Sequence, residues 1–270
     1  MIETAVALFA AHVIADFVLQ VRWIIDNKHR PGPFLAHVAI VAVTSAFLLG
    51  AWSGAALAAV AIVTVSHAVI DRVKLGYSKK PWVREHPRGT LVLFLSDQAL
   101  HVLAIVLTAW YVREAWNQSW WTTVPEPWQT GFLTLLCLVT GFILATRAGG
   151  FVIGMFMEGF VRSRSDSSGD ESSESGEPES DQGLVNGGKW IGLLERALIF
   201  VLIMAQEFQA IGFLIAAKSI LRFQYSKERS HSETVIIGSL ASFAWAIVVS
   251  WGTFELIELL NSATATDKAG

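Results

Sequence analysis

The apolar residues of this chain come in long blocks rather than in alternation, and no other feature narrows the possible folds so far. Runs such as Leu57 to Val65 and Ala197 to Ala205 lack the polar/apolar alternation of an outer-membrane barrel strand. They suit α-helices that cross a hydrocarbon layer about 30 Å thick, so the chain reads as all-α, a polytopic transmembrane helical bundle. A mean hydropathy of +0.49 agrees. The net charge of -3 gives no bulk attraction to nucleic acid. The single cysteine, Cys137, excludes an intrachain disulfide framework and any multi-cysteine zinc site. The start Met1-Ile2-Glu3-Thr4 has no basic segment and no clear cleavage site follows the first apolar run, so no cleavable signal is expected.

Charged residues, prolines and glycines divide the apolar blocks into spans at 3–24, 34–50, 54–73, 90–112, 130–148, 190–206, 209–222 and 234–258, about eight membrane segments in two bundles. The stretch 163–188, rich in Ser, Asp and Glu, is too polar to bury a core and reads as a disordered linker. The expected organisation is a four-helix domain at 1–115, a fifth segment with flanks at 116–162, the linker, a C-terminal membrane bundle at 189–260 and a tail at 261–270. The segment 190–222 is too long for one ordinary span, and two short crossings or one crossing with a re-entrant piece both fit. Lys and Arg concentrate at 22–33 and 72–89, which places those loops and the linker in the cytoplasm and the N-terminus outside. Trp110, Tyr111, Trp116, Trp120, Trp121 and Trp128 are expected as an aromatic belt at the opposite interface.

Within the first four spans the exceptions to apolarity form a pattern. Each span carries one histidine: His12, His37, His67 and His101. Three have an aspartate four residues away, as His12-x3-Asp16, His67-x3-Asp71 and, reversed, Asp97-x3-His101. A step of four keeps two side chains on one helix face, and His12, Asp16 and Gln20 extend that into a stripe. The reversal in the fourth span compensates its opposite direction, so in all three helices the aspartate lies one turn nearer the cytoplasm than its histidine. Gln98 adjoins Asp97, and Lys74 lies one turn beyond Asp71, where its simplest role is to snorkel toward headgroups. An ionisable group at the membrane centre costs at least about 2.5–3.5 kcal/mol on insertion scales, so seven such groups demand compensation by each other, by water or by an ion.

Neutral imidazole and carboxylate together make the ligand set of zinc, manganese or non-haem iron. His12, Asp16, His37, His67, Asp71, Asp97 and His101 are therefore the candidate metal ligands or their immediate supports. Asp16, Asp71 and Asp97 are the candidates for general base, and Lys74, Gln20 and Gln98 for substrate contacts. Seven donors exceed one tetrahedral site, so two metals are also open. Three other readings compete. The polar groups could be interhelical glue, a proton or ion path in a transporter or sensor, or bis-histidine haem ligands, which three nearby aspartates disfavour.

The ordered motifs His12-x3-Asp16-Phe17-x-Leu19-Gln20, His37, His67-x2-Ile70-Asp71-x2-Lys74 and Asp97-Gln98-x2-His101 resemble the bacterial membrane family Domain of Unknown Function 3307, over roughly residues 1–115. The later stretches Gly192-Leu-Leu-Glu195-Arg196 and Gly212 to Phe223 resemble the C-terminal region often attached to that domain. The family implies no activity. The His/Asp pattern is loosely similar to membrane-bound metal-dependent hydrolases, an analogy of ligand type that points to hydrolysis of a lipid-linked or membrane-proximal substrate.

In the second bundle Glu195, Arg196, Glu207, Lys218 and Arg222 stand out. A Glu195 pair with Lys218 or Arg222 is the preferred expectation, with an anion-binding cluster of Arg196, Lys218 and Arg222 as the alternative. Gly149, Gly150 and Gly154 are expected to allow close helix packing.

Overall fold

Proline and glycine set the bounds of the second long helix. Pro31 sits in its first turn, where no hydrogen-bonded N–H is missed, and Gly50 ends it in the left-handed conformation at φ 64°. A Cβ on Gly50 would lie 2.8 Å from Trp121 Cδ1, so glycine is required there for space as well as for φ. The next helix starts on Ser53, whose side chain accepts a hydrogen bond from the Ala56 amide.

The computed structural model describes residues 1–167, 187–223 and 229–267, with side chains for 1–160, 187–220 and 236–262. The described elements are all helical. They comprise α1 (Ile2–Ile14), continued by a π-helical turn (Ala15–Leu19), α2 (Arg22–Asn27), α3 (Pro31–Leu49), α4 (Gly54–Tyr77), α5 (Pro81–Glu85) and α6 (Gly89–Tyr111). After a 3-10 turn (Trp120–Thr123) follow α7 (Glu126–Ile143), a second π-helical turn (Leu144–Ala148), α8 (Gly149–Ser167), α9 (Gly187–Met204), α10 (Phe208–Phe223) and α11 (Arg229–Asp267). The linker expected at 163–188 lies for the most part outside the described residues, as does the Arg222 side chain.

Six stretches among the described residues are long and apolar enough to cross a membrane: Ile2–Leu19, Pro31–Leu49, Gly54–Tyr77, Gly89–Tyr111, Glu126–Phe160 and Ile236–Ser262. The protein is thus an all-α polytopic membrane protein, with six such helices among the described residues and the shorter or more charged α10 and α9 beside them. Helix α9 falls short because it carries Lys189, Glu195 and Arg196. The apolar part of α10, Phe208–Ile220, is shorter than a span. The two are separate helices, broken where Gln206 adopts φ 60° and Glu207 N bonds back to Leu202 O. The fifth span also differs from the expected 130–148, since the helix continues through the π turn to Phe160 and beyond. At 1.5 Å per residue a stretch of this length reaches about 52 Å, more than a bilayer's hydrocarbon layer of about 30 Å.

The usual sense of burial is inverted in the N-terminal half. In α3, α4 and α6 the deeply buried positions include His37, His67, Asp71, Asp97 and His101, whereas Phe47 (74% exposed) and Val65 (64%) face outward. That is the arrangement a lipid surround favours, with polar groups turned toward other helices. Helix α1 is the central element. Ala7, Ala10, Ala11 and Ala15 are all buried, and these small residues let α3, α6 and α7 approach it closely. The four helices α1, α3, α4 and α6 close a ring, each packed on the next. Leu133, Leu136 and Cys137 of α7 and Leu260 of α11 join the same core as Val6, Leu8, Val60 and Ile105, so the C-terminal helices dock on the ring.

The tryptophans divide into two groups. Trp110, Tyr111, Trp120 and Trp128 are exposed, as an interfacial belt requires. Trp116 is buried in the core, and Trp121 stacks on Phe132 with ring centroids 3.7 Å apart while its Nε1 donates to Leu48 O, so Trp121 ties the end of α3 to α7.

Candidate functional site

Seven ionisable residues from three i, i+4 pairs and one lone histidine meet inside the helix ring. Asp16 of the π turn, His37 of α3, and His67 and Asp71 of α4 converge most tightly. His37 Nε2 and His67 Nε2 face each other at 3.0 Å. Asp16 Oδ1 lies 3.3 Å from His37 Nε2 and 3.5 Å from His67 Nε2. Asp71 Oδ2 lies 3.4 Å and 3.3 Å from the same two atoms. The two imidazole nitrogens share one hydrogen bond, and Asp16 Oδ1 is buried with no hydrogen bond among the described residues. Each carboxylate oxygen thus caps the same pair of histidine nitrogens.

His101 and His12 extend the cluster. The His101 and His67 ring centroids are 4.3 Å apart, and His12 stacks on His101 at 4.8 Å. His101 Nδ1 lies 2.8 Å from Asp97 O. A carbonyl only accepts, so Nδ1 carries the proton and Nε2 carries the lone pair, buried without a partner among the described residues. Gln98 Nε2 donates to Asp97 Oδ2 at 3.1 Å. Its Oε1 therefore accepts from His12 Nε2 at 3.3 Å, which leaves the buried His12 Nδ1 as a second free lone pair, 3.9 Å from Asp16 Oδ2. Backbone and amide acceptors of this kind fix the tautomer that leaves a ring nitrogen free to coordinate.

Three groupings of donor atoms, each within 4.8 Å of one another, fit a metal ion: Asp16, His37 and His67; His12, His67 and His101; and Asp71, Asp97 and His101. A tetrahedral site with bonds of about 2.0–2.1 Å places its donors about 3.3–3.4 Å apart. The Asp16–His37–His67 and His37–His67–Asp71 triangles have edges of 3.0 to 3.5 Å, close to that value, and share the His37–His67 edge.

Two lysines close the cluster on the side of the basic loops. Lys74 turns inward, with Nζ 2.6 Å from Asp97 Oδ2, rather than snorkelling outward. Lys28, from the segment after α2, places Nζ 2.6 Å from Asp71 Oδ2. Sequence reasoning used Lys28 only to set orientation. Its position in a loop, with no helical spacing to tie it to Asp71, holds no signal of this contact. Gln20 departs from expectation in the other direction. The π turn between Asp16 and Gln20 changes the angular step, and the helix ends at Leu19. Gln20 lies just past the helix end, and no hydrogen bond among the described residues joins it to the cluster.

The charged groups of α9 and α10 lie elsewhere and are met by protein. Lys218 donates to Glu195, as one of the two expected pairs. Arg196 is buried apart from Lys218, with Nε donating to Thr146 O at 3.3 Å and Nη1 to Ser242 Oγ at 2.9 Å. Thr146 belongs to the second π turn, where Trp245 Nε1 also donates to Leu144 O. A Cβ on Gly149 would lie 2.6 Å from Trp245 Cδ1, so this glycine makes the close approach; Gly154 faces open space.

No curated protein and no solved structure matches the chain. Residues 5–129, the part of the chain that builds all four site-bearing helices, match the family described as "Protein of unknown function (DUF3307)", and the N-terminal bundle belongs to that family.

Proposed function

We propose that the helix ring is a divalent-metal centre that hydrolyses a lipid-linked or membrane-proximal substrate at the cytoplasmic leaflet. The observation that carries this reading is the pair of donor triangles, Asp16–His37–His67 and His37–His67–Asp71, with edges of 3.0–3.5 Å. That spacing suits zinc best among zinc, manganese and iron, whose other preferred geometries need more donors or open positions. His12 and His101 offer buried lone pairs beside it for a second ion or for substrate. A divalent ion supplies Lewis acidity and makes water a competent nucleophile near neutral pH. Asp97 lies outside the four-atom set, and Lys74 and Gln98 hold its carboxylate, so it is the aspartate placed to handle a proton.

The same geometry weighs against the competing readings. The histidine rings contact one another, which leaves no slot for a haem macrocycle. For a proton path through the membrane, the ionisable groups stop too soon. Lys28 and Lys74 approach from the same side, and the core beyond His12 and His101 is built of Val6, Leu8, Val60, Val63 and Ile105 with hydroxyls alone among its polar groups.

The test is elemental analysis of the full chain purified without chelators, beside Asp71→Asn, together with turnover of p-nitrophenyl esters and phosphates after reloading with zinc, manganese or ferrous iron. The expected result is about one or two ions per wild-type chain, fewer in the variant, and turnover that follows metal content. Wild-type protein that holds no ion after reloading would overturn the reading.

A further inference from the structure

Beside the buried cluster, a cleft of about 430 Å³ opens between the end of α4, α5, the first turns of α6, and α8. Its lining combines polar and cationic residues, Lys74, Ser78, Arg84 and Thr90, with the apolar Val83, Leu93, Phe94 and Met155. None of the lining residues is acidic. The volume falls in the range of small-ligand sites, about 300–1,000 Å³. We infer that this cleft binds the phosphate group of the substrate, with Lys74 and Arg84 as its cations and Ser78 and Thr90 as hydroxyl donors.

The assignment deepens the proposed function and rests on that reading for its link to chemistry. Lys74 provides the link, because the same ammonium that lines the cleft touches Asp97 Oδ2 at 2.6 Å, and Asp97 Oδ1 lies 3.7 Å from His101 Nδ1. An anion held by Lys74 is thus separated from the metal-site donors by one side chain. Arg84 brings a planar guanidinium, which matches two phosphate oxygens at once. The Phe94 ring lies 5.5 Å from Lys74 Nζ, so apolar and cationic lining residues adjoin. A cleft that offers cations, hydroxyls and apolar side chains together, in a protein with its apolar surface outward, fits the phosphate of an amphiphile. Free phosphate shares the headgroup chemistry and lacks the tail.

The experiment titrates the full chain in neutral detergent with dihexanoyl phosphatidic acid and with inorganic phosphate, by isothermal calorimetry. Metal content and thermal unfolding midpoint are measured on the same samples. Wild type is expected to bind dihexanoyl phosphatidic acid saturably, and Arg84→Gln to weaken binding about tenfold or more with its midpoint and metal content kept. If inorganic phosphate binds equally well, the source is the free anion; if it needs about 100-fold more, the apolar side chains hold a tail and the source is a lipid. Absence of saturable binding of either probe, or binding unchanged in Arg84→Gln, overturns the assignment. Phosphate binding that persists in a chain holding no metal after reloading leaves the cleft standing and removes the metal reading alone.

Discussion

The helix ring and the Arg196 pocket both bury charge inside an apolar protein, and they dispose of it in opposite ways. Arg196 finds carbonyl and hydroxyl acceptors supplied by neighbouring helices, so its guanidinium acts as a clasp between α9, the π turn at 144–148 and α11. In the ring, five buried polar atoms, namely His12 Nδ1, Asp16 Oδ1, His37 Nδ1, Asp97 Oδ1 and His101 Nε2, have no hydrogen bond among the described residues, and Asp71 Oδ2 is met by the Lys28 ammonium. An unmade hydrogen bond on a buried group costs about 1–3 kcal/mol, so a structural role alone would not sustain that many in one place. Buried polarity that is satisfied internally builds structure. Buried polarity left unsatisfied is what the proposed metal would meet.

The largest expected effect separates the two regions outright. His67 contributes a donor to two of the three groupings, so His67→Ala is expected to reduce bound metal from stoichiometric to under about a tenth per chain. Arg196→Met should leave metal content intact, and elemental analysis of both variants checks the contrast. Arg196→Met acts on stability instead, because it leaves Thr146 O and Ser242 Oγ without their donor, a loss of about 2–4 kcal/mol visible in the thermal midpoint. Gly141→Ala probes the packing of α7 on α11. Its Cβ would lie 2.2 Å from Thr253 Oγ1, so a loss of about 1–3 kcal/mol is expected, partly restored by adding Thr253→Ala. The smallest effect sharpens the account of the ring. Lys28 and a metal compete for Asp71 Oδ2, so Lys28→Met is expected to tighten zinc binding by about tenfold in a competition titration. Unchanged or weaker binding would show that Lys28 supports the site rather than competing for it.

Much of the ring was legible because it rests on local spacing. Apolar block length placed α3, α4 and α6 within a few residues of their observed bounds, and the i, i+4 step paired His12 with Asp16, His67 with Asp71 and Asp97 with His101 before any tertiary contact was known. What spacing does not encode is a change of helical step or a side chain that reaches back from a loop. The π turn at Ala15–Leu19 ended the helix before Gln20, and Lys28 joined the cluster from outside any span. The inward turn of Lys74 depends on Asp97 being across the ring from it, which is a tertiary fact. In the second region Gly149 admits the Trp245 ring and the Arg196 side chain, against a helix that continues past the expected end of the fifth span at 148.

X-ray absorption at the zinc edge, on protein loaded with one equivalent of zinc, tests the central claim most directly. The account predicts four nitrogen and oxygen neighbours at about 2.0–2.1 Å, with the multiple-scattering signature of two imidazoles that is lost in His67→Ala. A six-coordinate shell of oxygens with no imidazole contribution, unchanged in His67→Ala, would contradict it.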